Sequence, residues 1–111
     1  MADMTPIERL ANIILNQATA QKVQAVLLDE NAKGKSILLK YNIAGHWRKM
    51  ESPPRFLWGN LLNVYLLWAG FEFWHKGAFS GIIKRDDIVQ AWSLKVSEAH
   101  DKLEFNPAPR E

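Results

Sequence analysis

Apolar residues recur at helical spacing near both ends of the chain, while the middle holds a long segment that is apolar on nearly every side. The first periodic segment opens at Thr5-Pro6-Ile7-Glu8, a capping box with proline in the first turn, which predicts a helix start. Ile7, Leu10, Ala11, Ile14 and Ala18 then mark one face, with Glu8, Arg9, Asn12 and Asn16 opposite. The phase slips at Thr19. Ala20, Val23, Val26 and Leu27 resume it on a rotated face, as a bend or as a second helix, before the polar turn of residues 29–35.

Residues 36–47 support two readings. Leu39, Tyr41 and Ile43 alternate with Lys40 and Asn42 as a strand does, whereas Ile37, Leu38, Tyr41 and Ala44 fit a short helix. A lone two-stranded hairpin with Val23–Leu28 is barely stable by itself, so the helix is preferred. The loop of residues 45–54 follows, ending in two prolines.

Residues 53–76 read as the central helix. Ser52 serves as its cap and Pro53 as its first residue. Phe56, Leu57, Trp58, Leu61, Leu62, Val64, Tyr65, Leu67, Trp68, Phe71, Phe73 and Trp74 ring it almost completely, so it must be buried in a core, a partner or a membrane. Asn60, Asn63 and Glu72 inside the apolar run weigh against the membrane. One narrow stripe differs: Gly59, Asn63 and Gly70, suited either to close packing of a second backbone or to a solvent-facing edge. After a turn at residues 77–81, Asp86 is expected to cap a last helix, where Val89, Trp92, Val96, Ala99 and Leu103 form a two-heptad seam.

The predicted fold class is therefore all-α. Four or five helices pack as a small bundle or an irregular array around the aromatic central helix, with a short β-hairpin at 23–43 as the alternative. Residues 1–105 form one domain and 106–111 a disordered tail. The sequence shows no internal repeat.

Composition changes this picture little, but charge and aromatics locate candidate surfaces. With 111 residues and no cysteine, the chain has one modest core and no disulfide or thiolate chemistry. Its N-terminus lacks a basic segment followed by an apolar run, so a cytoplasmic location is expected. The net charge is +2, concentrated in residues 33–55, where Lys33, Lys35, Lys40, Arg48, Lys49 and Arg55 face Glu51 alone. His46, Arg48, Lys49 and Arg55 form a basic loop around Trp47, suited to an acidic protein surface or to a nucleic acid.

The chain lacks the common catalytic motifs. Glu72 and His75 form a single E-x-x-H, where a di-iron bundle needs two plus further carboxylates, and no metal or cofactor is expected. Glu98-Ala99-His100-Asp101 reads as the charged surface of the last helix. The expected function is protein binding rather than catalysis, as an inhibitor, anti-activator, adaptor or assembly chaperone of bacterial or phage type. Trp58, Tyr65, Trp68, Phe71 and Trp74, with Trp47, are the candidate anchors, because tryptophan and tyrosine dominate binding hot spots. A homodimer is expected through Gly59, Asn63 and Gly70 or through Val89, Trp92 and Val96. A nucleic-acid-binding regulator using segment 33–55 is the alternative.

Overall fold

The computed structural model of the chain describes residues 4–71 and 76–109. It begins as the sequence predicts. The Thr5 hydroxyl accepts from the Glu8 amide and the Glu8 carboxylate accepts from the Thr5 amide, closing the capping box of helix α1 (Pro6–Ala20). Those bonds to Thr5 hold the Glu8 carboxyl below its ordinary pKa. Ala11, Ile14, Leu15 and Ala18 are buried along one face of the helix.

Beyond α1 the all-α expectation fails. Six antiparallel strands follow: β1 (Ala25–Asp29), β2 (Leu38–Ile43), β3 (His46–Lys49), β4 (Phe79–Ile83), β5 (Ala91–Val96) and β6 (Lys102–Ala108). They form one sheet in the order β3-β2-β1-β6-β5-β4. A second helix, α2 (Trp58–Trp68), entered through a 3-10 turn at Arg55–Leu57, lies between β3 and β4 in sequence. The chain thus runs twice through a helix followed by a three-strand meander, a repetition of architecture that the sequence does not display. Residues 23–43 do form the alternative hairpin, stabilised because β6 pairs on the far side of β1.

Three features overturn the helical reading. The phase slip at Thr19 is the end of α1, where Gln21 closes the helix and Val23 leads into β1. The central helix has 11 residues rather than six turns, because Gly70 (φ +89°) ends it. The Gly70 amide donates to the Leu67 carbonyl and the Phe71 amide to the Leu66 carbonyl, a Schellman stop. The supposed last helix is the β5–β6 hairpin. Trp92, Leu94 and Val96 point inward while Ser93 and Lys95 do not, a period of two that the heptad seam through Val89, Trp92 and Val96 overlays. Residues 97–101 form the turn between them, where the Ser97 hydroxyl accepts from the Asp101 and Lys102 amides and donates to the Asp101 carboxylate. Asn106, Pro107 and Ala108, expected in a loose tail, complete β6.

Both helices cover one face of the sheet, and the core lies between the two layers. The Tyr41 hydroxyl on β2 donates to the Ile14 carbonyl at 2.6 Å, and the Tyr65 hydroxyl on α2 donates to the Ala11 carbonyl at 2.9 Å. α1 is therefore tied to the sheet and to α2. The 84–90 loop is latched to α1 by Asn12 and Asn16, whose amides donate to the Asp87 carbonyl, while the Asn16 side-chain oxygen accepts from the Val89 amide. Arg85 bonds the Asp87 carboxylate, holding its pKa below the usual range, and stacks on Trp68 at 4.4 Å. Among the described residues the opposite face of the sheet carries no helix. Among the described residues no helix is long and apolar enough to cross a membrane.

Candidate functional site

Most of the predicted anchors belong to the core. Trp58 is 6% exposed and its indole N–H donates to the His100 carbonyl at 3.1 Å. Tyr65 is fully buried, edge-on to Phe105 at 4.8 Å and to Trp68 at 5.9 Å. Trp68 is half-buried beneath Arg85, and Phe71 is half-buried against Phe79 at 4.4 Å. Trp92 and Val96 point into the core from β5, so they form no exposed seam with Val89. Trp74, like Glu72 and His75, lies outside the described residues. Gly59 and Asn63 do sit on the outer side of α2, but Gly70 acts as the helix stop. Among the described residues no three metal-ligating side chains converge.

The basic loop fares differently, because it is a strand. His46, Trp47, Arg48 and Lys49 form β3 at the edge of the sheet, and all four are exposed. Arg55 is not with them; it pairs with Glu30 at 3.4 Å near the entry to α2. Ala44 and Gly45 make the two-residue turn between β2 and β3, with φ of +53° and +85°. Positive φ at both positions is what a type I′ hairpin turn requires, and alanine tolerates it poorly. Ala44→Asn, giving the preferred Asn-Gly pair, is expected to raise stability by about 0.5–1 kcal/mol in a denaturant titration.

The register shows what this edge offers. Ile43 pairs with His46, Asn42 with Trp47, Tyr41 with Arg48 and Lys40 with Lys49. The Met50 amide donates to the Leu39 carbonyl at 2.8 Å, so Leu39 and Met50 are a hydrogen-bonded pair and the pairs alternate from there. His46 and Arg48 consequently turn their backbone groups toward β2. Trp47 and Lys49 turn theirs outward, to the free edge. Comparison with protein-family models and with curated proteins returns no match for this chain. The geometry of the edge alone indicates its chemistry.

Side chains sharpen that chemistry. Trp47, Lys49, Lys40 and Asn42 all point to the face of the sheet without helices, as the alternation of β2 and β3 dictates. Lys40 and Lys49 are opposite each other in a non-hydrogen-bonded pair, the closer of the two kinds, and like charges there repel. Farther into the sheet, Lys95 is opposite Glu104 and is locally compensated. The uncompensated charge is therefore at the β3 edge, beside an indole that is 47% exposed. Sequence reasoning found His46, Trp47, Arg48 and Lys49 but missed Lys40 as their partner. The signal was present in the alternation of residues 39–43 and the Ala-Gly turn that follows.

Proposed function

We propose that this protein is a non-enzymatic binding module, working in the cytoplasm, that takes up an extended acidic segment of another protein along the free edge of β3. The observation that carries this reading is the outward-facing backbone of Trp47 and Lys49 on a strand whose four residues are all exposed. An unpaired edge of this kind is a template for one more strand. Main-chain bonds to Trp47 and Lys49 supply affinity. Lys40 and Lys49 supply the preference for acid, since a carboxylate between them relieves their repulsion. Trp47 offers a flat apolar surface to a side chain two residues along the added strand.

A protein strand fits this edge better than a nucleic acid does. Modules that read bases on an open sheet stack two or three of them on successive aromatics, and Trp47 is the one aromatic on this face among the described residues.

The test uses a peptide of alternating glutamate and valine, titrated into the full chain by calorimetry. Binding is expected, weakening as salt rises. Lys40→Glu is expected to weaken it at least tenfold, and Trp47→Ala similarly. Lys49→Pro removes an outward amide without touching the β2 ladder, so it must weaken binding more than Lys49→Gln does. No binding, equal effects of those two variants, or preference for an oligothymidylate over the peptide would overturn the proposal.

A further inference from the structure

The outer face of α2 carries a second surface, unrelated to β3. From Phe56 to Phe71 the chain contains no ionisable side chain apart from Tyr65, whose hydroxyl is buried. Surface helices ordinarily turn a charged face to water. Here the outward residues are Phe56, Gly59, Asn60, Asn63 and Leu67, with Val64 at the margin; Phe56 is 82% and Leu67 59% exposed.

Their order is symmetric. Phe56 and Leu67 are equally far from the midpoint between Leu61 and Leu62, and so are Gly59 and Val64, and Asn60 and Asn63. Two such helices, laid antiparallel about a two-fold axis through that midpoint, bring Phe56 against Leu67 at both ends. Val64 meets the bare backbone of Gly59, where an added Cβ would find nothing within 4 Å in the monomer. The asparagines meet each other across the axis, where their amides can pair. The helix ends point the same way. α2 has no acidic residue in its first turn, no basic residue in its last and no side-chain cap, so no residue of the helix itself offsets its dipole. An antiparallel neighbour sets each positive end beside the other's negative end.

We propose that this face binds a second copy of the chain, forming an isologous dimer through antiparallel α2 helices. An uncharged, self-complementary strip fits itself better than it fits an arbitrary partner. The pairing buries on the order of 800 Å² in total, below the roughly 1,200 Å² at which stable specific interfaces begin, so the dimer is weak and reversible, with a dissociation constant expected in the tens of micromolar. The β3 edge takes no part in this contact, and the dimer does not depend on the peptide-binding reading.

Sedimentation equilibrium of the full chain over a concentration series provides the test. A reversible monomer–dimer equilibrium is expected. Phe56→Lys alone and Leu67→Glu alone are each expected to weaken it at least tenfold. Both substitutions in one chain are expected to restore it, because positions 56 and 67 face each other across the axis in opposite charge. Both positions are exposed, and unchanged circular dichroism and thermal midpoints check that the variants fold. A chain that remains monomeric at millimolar concentration would overturn the proposal. So would a dimer that neither single variant weakens, or a double variant no stronger than the singles.

Discussion

Replacing Trp92 by alanine is expected to lower the unfolding free energy by about 3–5 kcal/mol, enough to leave much of the protein unfolded at moderate temperature. Trp92 is the largest fully buried side chain among the described residues, on the inward row of β5 with Leu94 and Val96. It is paired with Pro107 on one side and Ile83 on the other, at the end of the sheet next to the 84–90 loop that α1 latches. Truncation would leave a void that the surrounding strands can fill only by breaking register. A milder variant separates packing from polarity. The Trp92 indole N–H is buried and finds no acceptor among the described residues, an arrangement that carries a desolvation penalty of about 1–3 kcal/mol. Trp92→Phe removes that donor along with some volume, so it is expected to cost about 1 kcal/mol or less. Denaturant midpoints of the two variants measure the difference.

The second large effect is alkaline unfolding. The chain has two tyrosines, and each lies in the core with its hydroxyl on a carbonyl of α1. Burial pushes Tyr41 up to about 12. Burial also drives Tyr65 well above its ordinary value, with Tyr41 adding a smaller push in the same direction. A folded-state pKa above the unfolded one means that the unfolded chain releases its protons first. Stability from these groups is intact below about pH 10 and falls as pH rises beyond it, by about 1.4 kcal/mol per unit for each tyrosine. For Tyr41 the loss runs from about pH 10 to about pH 12. That is about 3 kcal/mol from Tyr41, and Tyr65 adds a loss of the same sign, together a large part of the stability of a small domain. Tyrosinate absorbance should therefore appear together with the loss of near-ultraviolet circular dichroism, rather than before it. Tyr41→Phe and Tyr65→Phe should each remove about half of the extra slope.

These two effects come from a core that the sequence revealed only in pieces. α1 was legible because its signals are local: the capping box, the proline and the 3-4 spacing all fall within one helix. The sheet was not, because its stability is non-local. β1 and β2 pair as a hairpin that looks too weak alone, and β6, some 75 residues away, makes it a sheet. Around Trp92 two periods coexist: Val89, Trp92, Val96, Ala99 and Leu103 satisfy a heptad, while Trp92, Leu94 and Val96 satisfy a strand. The Ser97–Asp101 turn decides between them, although its charged residues alone fit the outer face of a helix equally well. Gly70 likewise fits the interior of an apolar helix by pattern, while its positive φ makes it the stop of one.

The candidate site divides in the same way. The residues of β3 were recognised by charge and by their single indole, but as a loop. That they form an exposed edge opposite Lys40 follows only once β2 is a strand. The aromatics of α2 were assigned to a partner because six turns of apolar helix seemed too much for so short a chain to cover. A helix of 11 residues is coverable, and the sheet covers Trp58 and Tyr65 with β6 and the β5–β6 turn. What remains outside is Phe56 and Leu67, at the two ends of the strip proposed to pair with itself.

Backbone amide hydrogen exchange along β3, with and without the glutamate–valine peptide, tests the proposed edge most directly. In the free protein the amides of His46 and Arg48, which face β2, should be protected, and those of Trp47 and Lys49 should exchange freely. Saturating peptide should slow Trp47 and Lys49 markedly, leaving His46 and Arg48 as they were. Binding that leaves Trp47 and Lys49 exchanging as fast as before would mean that no strand is added, and the account of this edge would be wrong.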